Sequence, residues 1–266
     1  MDKSPTGGAP ADESTMDQPP VHKSAMDKSQ SRRRRRGRPP FTPEEVAAHR
    51  YRILGAAVEV FAWYGYEATT LAAVAEAAGI SQGLILRYFE SKASLFIEAI
   101  REGLVHFQAV RQSALAPAGP PPERLRRWAD AMVRSQEEAF SYSRLVMQVL
   151  GAPGAHPPEC LPMVLEFGET EAGWLRHLLV QAGRPEVRAW YHAWLAVSTL
   201  WGSRMVMVRY DWQDPMPWPQ FLYEELCRQL EVPPDPRPEP TPLPSLPWQP
   251  PRGLTPWSRP ESLRRR

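Results

Sequence analysis

Residues 65–92 have the sequence GYEATTLAAVAEAAGISQGLILRYFESK, and this stretch decides the fold. It contains three helix starts, because Ser or Thr directly before a helical pattern caps a helix N-terminus. These caps are Thr69 or Thr70, then Ser81, then Ser91 before Lys92. Gly79 lies between the first two helices, where a tight turn favours the backbone freedom of glycine. The pattern predicts a helix, a glycine turn and a second helix, followed at once by another helix.

A longer helix is predicted immediately upstream. Thr42-Pro43-Glu44-Glu45 places Thr at the cap, Pro at the first helical position and Glu three residues after the cap. Residues spaced by three and four then define one helical face: Val46, Arg50, Ile53, Ala57, Val60, Phe61 and Tyr64. Gly65 follows and is expected to end this helix.

The helix after Ser81 has two different faces. Ile85 and Phe89 are four residues apart and should face the core. Residues expected to point outward are Gln82, Gly83, Leu86 and Arg87. A glycine on this face lets the backbone approach a duplex closely, and the helix N-terminus at Ser81 favours a phosphate. This arrangement is typical of a helix-turn-helix whose second helix enters the DNA major groove.

The same stretch resembles the TetR (tetracycline-repressor) family. The resemblance is carried by Ala56-Ala57, Phe61, Gly65-Tyr66, Thr69-Thr70, Val74-Ala75, Ala78-Gly79-Ile80-Ser81-Gln82-Gly83 and Tyr88-Phe89-Glu90-Ser91-Lys92. It implies a homodimeric regulator with a variable C-terminal helical domain that binds a small molecule or docks a partner. It also implies that Thr70 and Lys92 contact phosphates, and that Gln82, Leu84 and Arg87 lie near base edges. The candidate DNA-binding residues in this unit are Thr69, Thr70, Ser81, Gln82, Gly83, Leu84, Leu86, Arg87, Tyr88 and Lys92.

One position departs from the family pattern. Two residues before Tyr88, the family often has a tyrosine that bonds a phosphate, and this chain has Leu86. Leucine cannot donate a hydrogen bond, so that anchor is missing. Leu84 and Leu86 could instead contact thymine methyl groups. The alternative is that one of these leucines packs on a neighbouring helix.

An arginine-rich arm precedes the helix-turn-helix. Residues 42–92 carry four Lys/Arg against six Asp/Glu, whereas residues 1–40 carry nine against five. Phosphate neutralisation normally supplies much of the affinity for DNA, so another segment must provide it. Arg36-Gly37-Arg38-Pro39 resembles an AT-hook, which lays arginines such as Arg36 and Arg38 in a narrow minor groove. The alternative is a solvated basic run that adds nonspecific affinity.

The remaining chain is predicted to be all-α. Helices are expected at about 92–116, 123–138, 141–150, 160–182, 186–210 and 217–230. The domains predicted are a disordered basic arm (1–40), a three-helix DNA-binding domain (41–92), a larger helical ligand-binding and dimerisation domain (93–231) and a disordered tail (232–266). The tail is assigned from composition, because its twelve prolines leave little apolar surface to bury.

Large apolar side chains characterise residues 93–231. Trp190, Trp194 and Trp201 recur at steps of four and seven, so they share one face of a helix. Such residues belong either to a core or dimer seam, or to an apolar ligand pocket. In family terms, helices 186–210 and 217–230 would form the dimer interface. The candidate ligand-binding residues are Trp128, Phe140, Phe167, Trp174 and Trp194.

The sequence gives no positive sign of catalysis. His156, His177, His192 and Glu166 lack metal-ligand spacing, so we expect neither a metal nor a cofactor. No nucleophile–base pattern, phosphate-binding glycine loop or polar cluster within the helical bundle stands out, so an enzyme is not expected.

Cysteine use and hydropathy favour a cytoplasmic protein. Cys160 and Cys227 are the only cysteines, which is typical of a reducing compartment. No apolar run approaches the roughly 20 residues of a membrane span, and we expect no membrane association.

Together these patterns predict a homodimeric transcriptional regulator that binds double-stranded operator DNA of palindromic sequence. We expect a repressor that a small apolar effector releases. The alternative function is an architectural or partner-docking DNA-binding protein without a small-molecule effector.

Deletion of residues 1–40 should greatly weaken DNA binding and flatten its salt dependence. The slope of log K against log salt falls by about 0.9 for each phosphate that the protein no longer neutralises. Binding titrations of the full-length and truncated chains across a series of salt concentrations measure both quantities. Equal affinities with equal slopes would show that the arm does not bind phosphates.

Overall fold

The computed structural model describes residues 42–210 and 218–246, and every regular element in them is helical. The α-helices are α1 (Pro43–Ala68), α2 (Leu71–Ala78), α3 (Gln82–Tyr88), α4 (Lys92–Leu115), α5 (Pro121–Glu138), α6 (Phe140–Gly151), α7 (Cys160–Gln181), α8 (Glu186–Tyr210) and α9 (Trp218–Gln229). A short 3₁₀ turn, Pro153–Ala155, follows α6. The all-α prediction is confirmed, and the predicted limits of α4 to α9 agree with the structure to within two residues.

The predicted start and end of α1 are both present. The amide of Thr42 donates to the Glu45 carboxylate at 2.9 Å, and the amide of Glu45 donates to the Thr42 hydroxyl at 3.2 Å. This reciprocal pair satisfies two backbone donors that a helix N-terminus leaves without partners. At the other end, Gly65 has φ 78° and ψ 170°, which interrupts the regular helix.

Local caps also set α2 and α3. The amide of Ala73 donates to the Thr70 hydroxyl at 3.1 Å, and the amide of Leu84 donates to the Ser81 hydroxyl at 3.3 Å. Gly79 ends α2 in the left-handed region, with φ 64°. A side chain at that position would strain the backbone, which explains the glycine between the two helices.

The first hydrophobic cluster joins the N-terminal helices to the bundle. It includes Ile53 and Phe61 of α1, Ile85 of α3 and Phe96 of α4, and continues to Phe167 of α7. A continuous core transmits displacements between its elements, because close-packed interiors have low compressibility. The N-terminal helices are therefore seated on α4, α6 and α7. The division between domains at residue 92 remains a prediction.

A second cluster fills the distal part of the bundle. Trp128 of α5, Leu175 of α7, Leu200 of α8 and Tyr223 of α9 are all within 3% of complete burial. In the adjacent helix pair, a Cβ added at Gly168 of α7 would overlap the ring of Trp201 of α8. The absence of a side chain on Gly168 therefore lets α7 and α8 approach closely. None of the described helices has the length and apolar content needed to cross a lipid bilayer.

The bundle also contains a charged cluster that no sequence pattern indicates. Arg111 of α4 forms an ion pair with Glu171 of α7, and their side chains are only 6% and 3% exposed. The indole nitrogen of Trp128 donates to the same carboxylate at 3.4 Å. The expectation of no polar cluster in the bundle was therefore wrong, because the partners are 60 residues apart in the chain. Their pairing compensates much of the cost of burying two charges.

Part of the predicted disordered tail is described by the structure. Residues 232–246 form no regular secondary structure and lie against the bundle, and we name residues 233–246 the strap. Its Arg237 pairs with buried Asp130, and its Leu243 packs on the second cluster. Composition suggested disorder because the strap has little apolar surface of its own, but other helices supply its partners. The remainder of the predicted tail, 247–266, and the arm, 1–40, lie outside the described residues.

Replacing Arg111 with methionine should destabilise the protein by about 3–5 kcal/mol, because the Glu171 carboxylate then stays buried without its cation. The double variant R111M/E171Q should recover most of that loss, since both charges are removed while the glutamine oxygen still accepts from Trp128. Urea unfolding followed by circular dichroism measures the two free energies. A single variant as stable as the wild-type protein would show that the pair is not needed to neutralise Glu171.

Candidate nucleic-acid interface

Helix α3 presents a mixed polar and apolar surface to solvent. Ile85 is fully buried beneath it, whereas Gln82, Gly83, Leu86 and Arg87 are exposed. A Cβ added at Gly83 would meet nothing within 4 Å. The orientation predicted from residue spacing is therefore present in the structure. The exposed face could enter a groove without unpacking the core.

The two leucines of α3 have different environments. Leu84 is partly buried, while Leu86 is 49% exposed. The alternative that one of these leucines packs on a neighbouring helix remains a prediction. Leu86 is an exposed apolar side chain available to contact a methyl group or another apolar surface.

Thr69 and Thr70 play different parts, although the sequence places them together. Thr69 is 2% exposed, and its hydroxyl donates to the carbonyl of Gly65 at 2.7 Å. Its inclusion among exposed DNA-contacting residues was wrong, because this hydroxyl completes the turn between α1 and α2. Thr70 is exposed and caps α2, so it lies beside a helix N-terminus whose amides attract anions.

Lys92 joins the start of α4 to the end of α1. Its ammonium group donates to the carbonyls of Tyr66 at 2.9 Å and Glu67 at 3.3 Å, and lies 4.4 Å from the centre of the Tyr66 ring. Tyr88 forms a hydrogen bond with His49 at 3.2 Å, which ties α3 to α1. Two of the candidate DNA-binding residues therefore also fix the helices relative to one another.

A second set of contacts connects α6 to the last regular turn of α1. Arg144 donates to the carbonyl of Ala62 at 2.7 Å, and Gln148 donates to the carbonyls of Phe61 at 3.3 Å and Ala62 at 2.9 Å. The helix break at Gly65 makes external donors valuable here, because the final carbonyls of a helix lack their usual partners. The sequence does not indicate these residues, because no local pattern predicts a contact across more than 80 positions.

Glu59 lies buried in the same α1–α6 junction. Burial raises the pKa of its carboxyl, while Ser141, Arg144 and Trp63 oppose that shift through hydrogen bonds and charge. The Arg144 guanidinium also lies 4.3 Å from the centre of the Trp63 ring. The junction is therefore polar and partly charged, in contrast to the apolar cluster beneath it.

An open cleft of about 470 Å³ borders this junction. Its walls include Trp63 and Tyr66 of α1, Gln148 of α6 and His156 of the following loop. None of the five aromatic residues predicted to bind a ligand lines this cleft. Among the described residues, no group of His, Cys, Asp and Glu is arranged to hold a metal ion.

The predicted ligand-binding residues are distributed through the bundle. Trp128 belongs to the second cluster and Phe167 to the first. Phe140 is 8% exposed, Trp194 is partly buried and Trp174 is 47% exposed. Trp174 lies beside Arg111, with the guanidinium 5.7 Å from the ring centre. Their assignment to one pocket remains a prediction.

Arg36 and Arg38 of the arginine-rich arm lie outside the described residues.

Comparison with known proteins finds relatives of this region. Residues 53–99 match the family of bacterial regulatory proteins named tetR. The transcriptional regulator RutR of Escherichia coli K12 is 40% identical over 57 residues, covering 21% of this chain and 27% of that protein. The transcriptional repressor KstR of Mycolicibacterium smegmatis is 35% identical over 82 residues, covering 31% and 40%. The chain therefore matches less than half the length of these relatives.

Solved structures share the fold over a larger part of the chain. The TetR-family regulator PfmR of Thermus thermophilus superposes with a TM-score of 0.56 at 25% identity, covering 68% of this chain and 98% of that one. KstR2 of Mycobacterium tuberculosis gives a TM-score of 0.52 at 21% identity, covering 68% and 93%. The similarity thus extends from the N-terminal helices into the C-terminal bundle.

Replacing Glu59 with glutamine should change how stability depends on pH. Because burial raises the pKa of Glu59, the folded state binds this proton more tightly than the unfolded state does. The resulting stability is present at low pH and is lost as pH rises through the raised pKa. E59Q cannot ionise, so its stability relative to wild type should improve with rising pH. Parallel urea-unfolding curves over this pH range would contradict the assignment.

Proposed function

We propose, from the premise that residues 53–99 belong to the tetR family of bacterial regulatory proteins, that this chain is a DNA-binding transcriptional repressor of the cytoplasm. The observation that carries the proposal is the exposed face of α3, held by capped helices over a continuous core. Because the core beneath it is rigid, a recognition helix can enter a DNA groove without losing conformational entropy on binding. The name of KstR as a repressor supports the direction of regulation.

The proposed contacts divide into three groups. Thr70, Ser81, Tyr88 and Lys92 would contact phosphates. The base edges would be met by Gln82, Leu84, Leu86 and Arg87, with Gly83 allowing close approach of the backbone. Arg36 and Arg38 would lie in the adjacent minor groove. Phosphate contacts position such a protein, and base contacts specify its sequence.

Leu86 gives α3 a preference for particular bases. Its exposed side chain can contact the methyl group of thymine but cannot donate to a phosphate. Residues 42–92, which we name the head, carry more acidic than basic residues, so the head attracts DNA weakly through charge. We assign specificity to α3 and much of the affinity to the arginine arm.

A homodimer would place two such heads on a palindromic operator. Val187, Trp190, Tyr191 and Leu195 of α8 are between 47% and 69% exposed, and Phe221 of α9 is 50% exposed. A cluster of large apolar side chains on a surface indicates a protein interface. These side chains support α8 and α9 as the dimer surface, whereas Trp201 packs on Gly168 within the chain. Recognition helices about 34–36 Å apart would meet successive major grooves.

Effector control would act through the end of α1. This end accepts hydrogen bonds from Lys92 of α4 and from Arg144 and Gln148 of α6. A shift of either helix would therefore displace the head. A small apolar effector would contact some of Trp128, Phe140, Phe167, Trp174 and Trp194. To release DNA, the effector must bind more tightly, by a few kcal/mol, to the dimer conformation whose heads are spaced too differently to bind the operator.

The alternative is an architectural or partner-docking DNA-binding protein without a small-molecule effector. The charged contacts between the bundle and the head would then serve only stability. A thermal-shift screen of apolar compounds distinguishes the two functions. Saturable stabilisation by a compound that also weakens DNA binding supports the effector-controlled repressor.

Replacing Gly83 with alanine should separate folding from DNA binding. Nothing lies within 4 Å of the added methyl group, so stability should stay unchanged or rise by up to about 1 kcal/mol. Affinity for DNA selected by the full-length protein should fall by about tenfold, because the methyl group occupies space that the DNA needs. Fluorescence anisotropy measures the affinity.

Gly173→Ala is the matched control. Gly173 is also an exposed helical glycine with open space around its Cα, but it lies in α7, far along the chain from the head. G173A should bind the selected DNA as the wild-type protein does. Equal affinity of G83A, G173A and wild type would refute the close approach of α3 to DNA.

A further inference from the structure

The strap has a composition that prevents it from forming regular secondary structure with itself. Its sequence is PPDPRPEPTPLPSL, with proline at every second position from 234 to 244. Proline has no amide hydrogen and favours an extended backbone. The strap therefore offers twice as many backbone carbonyls as amide donors, so its backbone depends mainly on donors from elsewhere.

Three helices supply such donors. The Tyr223 hydroxyl of α9 donates to the carbonyl of Pro234 at 2.8 Å, and Arg134 of α5 donates to the carbonyl of Thr241 at 2.8 Å. The Ser113 hydroxyl of α4 donates to the carbonyl of Pro242 at 3.1 Å. Carbonyls of a proline-rich chain are the features that binding grooves for such segments recognise.

An arginine anchors the middle of the strap. Two nitrogens of Arg237 lie 2.9 and 3.1 Å from one carboxylate oxygen of Asp130, whose side chain is 2% exposed. The other oxygen accepts from Arg134 at 2.8 Å. The Arg237 guanidinium also lies 4.7 Å from the centre of the Tyr223 ring. An acidic group beside an aromatic ring selects arginine over other side chains.

Two leucines complete the attachment. Leu243 packs against the second hydrophobic cluster and Leu246 against the first. Arg237 and Leu243 are six residues apart, so the bundle surface beneath the strap binds a positive charge and an apolar side chain at a fixed spacing. Anchors at fixed positions along an extended peptide provide specificity, while carbonyl contacts provide sequence-independent affinity.

We propose that the surface formed by Ser113, Asp130, Arg134 and Tyr223 is a binding groove for proline-rich segments of a partner protein. The segment must be rich in proline and must carry arginine followed six positions later by leucine. The strap fills this groove within its own chain and competes with the partner. Because a tethered competitor acts at an effective concentration near millimolar, only a matching segment displaces it.

Binding of a labelled peptide tests the groove in the full-length protein. The peptide has the sequence of residues 233–246, and anisotropy measures its binding to wild type and to the strap variant R237A/L243S. This variant leaves the groove residues intact but weakens the competitor. It should bind the peptide about tenfold more tightly than wild type. A peptide carrying the same two changes should bind at least about tenfold more weakly than the unchanged peptide.

A groove variant provides the complementary control. Adding Asp130→Asn to the strap variant should weaken peptide binding about tenfold, because the anchor for arginine loses its charge. If R237A/L243S loses its helical circular dichroism signal, Arg237→Lys takes its place. Lysine keeps the charge but not the two-nitrogen contact. R237K should bind the peptide about threefold more tightly than wild type.

Two results would overturn the proposal. In the first, a folded strap variant binds the peptide no better than wild type does. In the second, the strap variant sediments at a lower mass than wild type. Loss of association between copies would show that the groove binds the strap of a second copy. Neither measurement uses DNA, so its outcome is independent of the proposed repressor function.

Discussion

The carbonyl groups at the broken end of α1 are the constraint on which the arrangement of helices depends. Gly65 interrupts the helix, and the carbonyls around the break need donors from elsewhere. Arg144 and Gln148 of α6 satisfy those before the break, and Lys92 of α4 satisfies those after it. The same hydrogen bonds that complete the backbone therefore hold the head on the bundle. A motion of the bundle has a direct route to α3 because the head shares its core and its caps.

Buried carboxylates recur at the points where helices meet. Glu59 lies at the α1–α6 junction, Glu171 between α4 and α7, and Asp130 beneath the strap. Glu171 and Asp130 form ion pairs with arginine, and the charge of Arg144 acts on Glu59. The guanidinium group suits such sites because it remains charged and donates in several directions. These interactions add directional contacts to an apolar core, because hydrophobic contacts themselves have no preferred direction. They also make the packing of α4, α6 and the strap sensitive to the loss of single charges.

Local signals account for the parts of the fold that the sequence predicted well. The capping box at Thr42, the left-handed Gly79 and the cap at Ser81 act within three or four residues, so their effects can be recognised in a short window. The exposed face of α3 follows from the same periodicity. Thr69 was misassigned because two adjacent threonines look equivalent in the sequence. The return of the chain at Gly65 buries one hydroxyl and leaves the other at the surface.

The sequence by itself determined the helices, their caps and the face of α3 that meets solvent, because these depend on neighbours along the chain. The tertiary structure decided the Arg111–Glu171 pair, the α6 contacts to α1 and the order of the strap. The partners in Arg111–Glu171, Arg144–Ala62 and Arg237–Asp130 are 60, 82 and 107 residues apart, and no periodic pattern connects them. Proline-rich composition predicts that residues 233–246 cannot stabilise themselves, and this is correct as a local statement. Whether such a segment is ordered depends on donors that only folding brings beside it.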